Sequence, residues 1–566
     1  MAGSLSRRFL IVGLVVAAAL AHLVACSSMG ASDSGSTTAP SGAPNAGIGG
    51  SGNGFNIGNP SGAQSSGVGG TSLPPEQKAT IVVDVPKASL NYVYAANPDR
   101  GSVAIINPKN LSIQTVSVDT APHGLQTIPN QDGAVVANTG ASTVSVLRTD
   151  KTTGSTHVST VPVMTGANVV SIAPDGQHAL AYYDASQPTA GPSTDSPKEI
   201  SALDLSKDSP VVYHLTVGYH PSIINFSNDS KQAIVVTEDG ISIVDLQGLA
   251  VASSRIVSPI PIYDTTTTKT ANVTVTPDGL YAIAHQTNSS LLRLVDLAGK
   301  DSVDLDLASY FGLSNQDAGV AAGTIDVSDV QVSPDGTFLL AVVRDHQMVL
   351  RVPIPAGFDS ISNVQYVSVP DVLTGAVSIG PDGRYAVLFT TVESANEQHV
   401  SIVDMSGQYP LRTINLHKIV DGVTFDPTGT KAYVLHVKSP GDPTQVTGDL
   451  ATARSYGYSI IDLATTASTL VLPPSQPGPI AALPDGSALF ILFPNAPWQV
   501  ERMNLLDLSF STIAVGSQPT GIGFVESAKQ IFVSQAQSDG RITFIDWSTL
   551  AFKSVAGYEL NSSIWE

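Results

Sequence analysis

A single cysteine, Cys26, stands in 566 residues. The chain therefore has no internal disulfide, no thiolate set for zinc or copper, and no Cys-x-x-Cys-His haem attachment. Charge is scarce too: Asp, Glu, Lys and Arg make up 13% of the chain, and 47 acidic against 27 basic residues leave a formal net charge of −20. No block of Lys or Arg follows Arg7-Arg8. Nothing offsets phosphate charge, so nucleic acid is not an expected partner. His-Glu-x-x-His, a Gly-x-Ser-x-Gly elbow and an Asp-x-Asp-x-Asp-Gly calcium loop are all missing. Gly-x-Gly strings such as Gly47-Ile48-Gly49 lie outside any strand–helix context, and no cofactor is implied.

What is present begins at the N-terminus. Arg7-Arg8 precede an apolar run from Phe9 to about Ala21, then Leu23-Val24-Ala25-Cys26. A basic start, a short apolar core and small residues before a cut describe a signal peptide over residues 1–25 rather than a spanning helix. Leu-Val-Ala-Cys resembles the bacterial lipobox. That resemblance implies diacylglyceryl transfer to the Cys26 thiol, cleavage before it, and a lipid-anchored envelope protein with a palmitate-type acyl chain. Ser27 is not Asp, which under the same resemblance favours the outer membrane where the cell has one. Ser6-Arg7-Arg8-Phe9-Leu10 only faintly resembles a twin-arginine signal, and the strongly apolar core favours the general secretory route.

Residues 26–78 form a linker. From 27 to about 77 they are Gly, Ser, Ala, Asn and Pro with almost no large apolar side chain, too little to bury for folding. About 50 such residues reach roughly 40 Å, which lifts residues 79–566 clear of a membrane.

Those residues carry a recurring turn. Pro-Asp-Gly stands at 174–176, 277–279, 334–336, 381–383 and 484–486, with Pro427-Thr428-Gly429 as a variant. Between anchors there is no helical period. Ten apolar runs follow, among them Asn91–Asn97, Phe338–Val343 and Ala488–Phe493, each short and bounded by turn residues as in a strand buried on both faces. Each is trailed by a second strand such as Ile241–Asp245, Leu291–Asp296, Val400–Asp404 or Tyr458–Asp462, whose clearer alternation predicts a less buried position further out. A strand before the turn (Val273–Thr276, Val330–Ser333) and a short one after the pair (Ser112–Val118) complete four per unit. The fold class is all-β, a β-propeller of four-stranded blades. Ten units fit one large ring or two smaller rings in tandem, and the missing Pro/Ser-rich linker favours one ring. Gly248–Thr270, Ala298–Ile325 and Lys438–Gly457 read as projecting loops.

Asn91-Tyr-Val-Tyr-Ala-Ala-Asn97 with Ser102-Val-Ala-Ile-Ile-Asn107, and Lys431-Ala-Tyr-Val434, resemble the repeats of the YVTN and lactonase-like propeller group. The resemblance spans most of residues 80–560 and implies a propeller, although that group typically closes seven blades. Some of its members are hydrolases, so a lactonase-like activity is the alternative to a non-enzymatic platform for a protein or glycan partner.

Candidate site residues are few. The Asp of each Pro-Asp-Gly belongs to turn chemistry, Pro presetting φ and Gly taking positive φ. The Asp closing the third strand (Asp204, Asp245, Asp296, Asp404, Asp462, Asp507, Asp546) is expected to cap a turn. Pro122-His123-Gly124 enters an inner strand at the channel mouth. His220, Asn168, Asn272 and Asp421 fall at corresponding places, where they would line a watery channel or hold a metal or polar ligand. His285, His346 and His436 follow second strands, where a shared face and separate surface loops explain them equally well. No catalytic residue is assigned.

Overall fold

The computed structural model describes residues 86–187, 196–262, 272–285, 290–311, 327–370, 373–392, 396–537, 540–558 and 564–565. Cys26, the signal region and the linker lie outside the described residues.

Ten antiparallel sheets follow one another along the chain, and each is a blade. Blade 1 is Lys87–Ala88, Val93–Asn97, Ser102–Ile106 and Ile113–Ser117; we call such strands a to d. Blades 2 to 10 occupy 122–162, 169–216, 223–262, 272–306, 327–368, 376–415, 420–471, 480–514 and 519–565. Where neighbouring blades meet through their first strands, as in 87–88 with 122–127 and 327–332 with 376–379, strand a lies at the axis and d at the rim. Axial polar side chains tie such strands together: Asp329 and Gln331 of blade 6 accept from the backbone N–H groups of Val377 and Ile379 of blade 7, at 2.8 and 3.0 Å.

Strand b is apolar on both faces because each face meets a different neighbour. In blade 1, Tyr92 and Tyr94 pack with Leu125, Val136 and Leu147 of blade 2. Val93 and Ala95, pointing the opposite way, pack with Phe532, Ile542 and Phe544 of blade 10. Analogous apolar clusters join every other consecutive pair of blades. The cluster between blades 10 and 1 closes the circle, so there is one ring of ten blades and not two in tandem.

Turns set the frame locally. At each Pro-Asp-Gly or its variant the glycine N–H returns to the residue before Pro, as in Gly279 to Thr276 (2.8 Å) and Gly336 to Ser333 (2.9 Å). These glycines lie at φ 69–72°, where a side chain is disfavoured. The Asp carboxylates accept from the N–H two residues on, Asp278 from Leu280 and Asp335 from Thr337. Across the c–d connection a second repeated turn has Asx at its start and a left-handed residue four positions later. Asn107/Leu111, Asp462/Thr466, Asn504/Leu508 and Asp546/Leu550 are examples.

Three expectations need correction and one holds in part. Strand c is less buried than b in blades 5, 6 and 9, as its alternation implied, whereas His399–Asp404 of blade 7 is exposed at neither end and buried through its middle. Where strand c is buried throughout, its alternation comes from a small polar residue three positions before the closing Asp. Ser201, Ser242, Ser401 and Ser459 there are fully buried and bond the outer strand, the connection from the preceding blade or a histidine. Asp507 does not close a strand; Asn504 does, and Asp507 accepts from Ser509 inside the following turn. Ala298–Ile325 is not all loop, since Asp301–Asp306 is strand d of blade 5. Gly248–Thr270 includes the fourth strand of blade 4 in degenerate form. Ile260 pairs with Ile241 through both backbone bonds, but Pro259 and Pro261 beside it cannot donate, so the ladder stops after one pair.

Candidate functional site

Register assigns the loops to two faces. One carries the Pro-Asp-Gly and c–d turns; the other carries the b–c hairpins and the d-to-a connections between blades. The channel-mouth candidates and His285, His346 and His436 all fall on the second face. Asn272 is the direct cross-strand partner of His285, and Val420 of His436. His346 lies in the b–c hairpin of blade 6.

The four channel-mouth candidates occupy consecutive blades, 2 to 5, at the entry to strand a. His123 precedes a bulge in strand a of blade 2. Gly124 beside it takes φ 59°, and a Cβ there would sit 3.2 Å from the Asn168 carbonyl oxygen of blade 3, so these two backbones touch. Asn168 is 5% exposed and its amide is engaged at both ends: Nδ2 donates to the Asp184 carbonyl (2.8 Å) and Oδ1 accepts from the Asp184 N–H (2.7 Å). Asn272 is exposed. Asp421 stands at the bulge of strand a in blade 8.

His220 has the richest surroundings. Its Nδ1 lies 2.8 Å from Glu238 Oε1, and its ring stacks on Tyr219 with centroids 3.8 Å apart. The Tyr219 N–H donates to Asp239 Oδ1 at 2.6 Å, and Lys198 reaches Asp239 Oδ2 at 3.6 Å. Two further His–Glu contacts occur in blades 3 and 7, His214 with Glu199 (2.8 Å) and His399 with Glu397 (2.6 Å). Against a desolvation that raises it, Glu397 is held below the usual carboxylate range by its bonds from His399 and from the Leu373 N–H. Among the described residues, no three His, Cys, Asp or Glu side chains converge as a metal site.

A second feature of this face, in blade 8, was not foreseen from sequence. Lys418 is 1% exposed, and among the described residues no carboxylate partners it. Its Nζ donates instead to the carbonyls of Thr452, Ala453 and Ser455 at 2.9, 3.1 and 2.8 Å. Those carbonyls belong to the C-terminal end of the helix Asp449–Arg454, where unpaired C=O groups and the helix dipole favour a cation. Burial pulls the Lys418 ammonium down to about 8, with Lys438 adding to the effect. Gly457 makes room for the stem: a Cβ there would lie 2.9 Å from Lys418 Cδ and Cε. Beneath, His436 bonds the Ile419 carbonyl through Nδ1 (3.2 Å) and the Ser459 hydroxyl through Nε2 (2.7 Å).

The segment Lys438–Gly457, expected as a projecting loop, is thus a short helix latched to the face. It leaves Leu450 exposed, and Leu472 at the end of blade 8 and Trp498 in the b–c hairpin of blade 9 are exposed on the same face. No sequence signal marks Lys418, because its partners are backbone carbonyls that any residue supplies.

No family model matches the chain, and no curated protein matches it. Among solved structures the chain is similar to a dihydro-heme d1 dehydrogenase, NirN (14% identity, 63% of this chain and 70% of that one, TM-score 0.38). It is also similar to a eukaryotic initiation factor (9%, 81% and 93%, 0.45) and to the Cps50 (Swd1) β-propeller domain of Myceliophteria thermophila (11%, 62% and 97%, 0.33). The propeller assignment rests on the strand ladders and the closed ring of interfaces.

Proposed function

We propose that this chain is a cell-envelope lipoprotein, anchored through Cys26, that presents its propeller as a binding platform. The face of the b–c hairpins and d-to-a connections is its recognition surface. The observation that carries this reading is the latched helix of blade 8. A surface segment held by three bonds to one buried ammonium is preorganised, so less ordering entropy is lost when a partner binds. Exposed Leu450, Leu472 and Trp498 supply apolar contact area beside it. The partner is a protein or a glycan of the envelope, and the lipobox-like Leu-Val-Ala-Cys supports the address, with the outer membrane favoured.

The test is site-specific photo-crosslinking in intact cells. Crosslinkers at 450 and 498 should each give a discrete adduct, and one at Leu280, exposed on the Pro-Asp-Gly face, should give none. Lys418→Met, which frees the helix, should weaken the adduct at 450. Adducts from 280 alone would reverse the assignment. In parallel, Cys26→Ser should abolish palmitate labelling.

A second reading, a lactonase-like hydrolase or a small-ligand or metal site at the channel mouth, draws on the His220–Glu238 pair and on the contact between Gly124 and Asn168. It requires His123, Asn168, His220 and Asn272 to serve one ligand across four blades.

A further inference from the structure

We infer that the chain has a second binding site, for a single sugar ring, on the opposite face. It is a cleft of about 190 Å³ at the rim between blades 1 and 2. This site is independent of the recognition surface proposed above and stands or falls without it.

The cleft is framed by two copies of the same c–d turn, Asn107–Ser112 and Asp150–Ser155, each closed by a pair of backbone bonds. Gly154, left-handed at φ 72°, leaves open the space above the Tyr92 hydroxyl, which a Cβ there would approach to 3.8 Å. Tyr92 is 5% exposed, its ring lies in the apolar cluster between the two blades, and its hydroxyl lines the cleft. Among the described residues that hydroxyl has no hydrogen-bond partner.

The lining chemistry is donor-rich, with Lys151 its charged member. Asn107 and Asn110 use their amide oxygens to hold the turn, accepting from Lys109 and Ser112 N–H, and Gln114 uses its oxygen to accept from the Thr156 hydroxyl. Three amide NH₂ groups are left for a ligand. Lys151 adds a cation, while the neighbouring Asp150 spends its Oδ1 on the N–H groups of Thr152 and Thr153 inside the turn. Amide donors and the hydroxyls of Tyr92, Ser112, Thr152 and Thr153 around a small polar hollow with an apolar wall at Ile105 match the alternating acceptors and donors of vicinal hydroxyls. The volume suits one ring and not a drug-sized molecule.

The experiment titrates the full-length protein in detergent with glucose, galactose, mannose and N-acetylglucosamine by saturation-transfer NMR, with oligosaccharides ending in each sugar as a second arm. One sugar should bind with a millimolar dissociation constant, as expected of so small a ligand. Tyr92→Phe, which removes one hydroxyl and leaves the ring packed, should weaken it at least fivefold, and Asn110→Ala should do the same. Trp498→Ala, on the other face, should leave it unchanged. Tighter binding of the oligosaccharide arm would identify a glycan end as the source, and equal binding a free sugar. No saturation transfer from any of the four sugars, or transfer that survives both cleft variants, overturns the proposal whether or not crosslinks form at 450 and 498.

Discussion

His436 shows how one buried side chain couples the latched face to pH. The Ile419 carbonyl can only accept, so Nδ1 carries the imidazole proton and Nε2 receives the Ser459 hydroxyl. Burial lowers its pKa to about 4; the Ile419 bond opposes the shift and the Lys418 charge adds to it. The unfolded chain, with a histidine near 6.5, binds this proton first as pH falls. The native state is therefore fully favoured above 6.5 and loses stability between 6.5 and about 4, by on the order of 3 kcal/mol. His436→Gln can make both bonds without titrating, and urea unfolding between pH 7 and 4 should show a shallower loss in that variant. An unchanged slope would mean that other groups carry the acid sensitivity.

At the scale of elements, what was legible in the sequence is what is chemically local. Pro-Asp-Gly names its own turn, because Pro, Asp and Gly each supply one of the conditions that the turn needs. Strand b was legible because both of its faces are apolar. Strand c was placed correctly outside b, but in blades such as 7 its burial was underread, because a buried Ser three residues before the closing Asp looks, in a sequence, like the polar half of an exposed strand. The fourth strand of blade 4 was hidden by Pro259 and Pro261, and Lys418 by partners with no sequence identity. Close approaches were equally invisible, and Gly523 in strand a of blade 10 is one. A Cβ there would fall 2.4 Å from the Phe532 ring, which packs at the interface with blade 1. Gly523→Ala should shift that ring and cost about 1–3 kcal/mol, the usual penalty for overpacking a core. Urea denaturation should give a lower midpoint with an unchanged m-value.

For the whole molecule, the ten units could be counted from sequence but their closure could not, because it depends on contacts between Val93 and Ala95 at one end and Phe532, Ile542 and Phe544 at the other. The repeat spacing is the same for one ring as for two. Closure matters to function, since a single ring sets all ten hairpins on one continuous face, with the His220 cluster of blade 4 and the latched helix of blade 8 on the same surface. The deciding measurement is a pair of spin-label distances on a Cys26→Ser background. Labels at Ser117 of blade 1 and Lys553 of blade 10, both exposed on strand d, should report a short distance between neighbouring blades. Labels at Ser117 and Ser302 of blade 5 should report a long one, nearly across the ring. The reverse order, short from blade 1 to blade 5 and long from blade 1 to blade 10, would mean two five-bladed rings and would contradict the account.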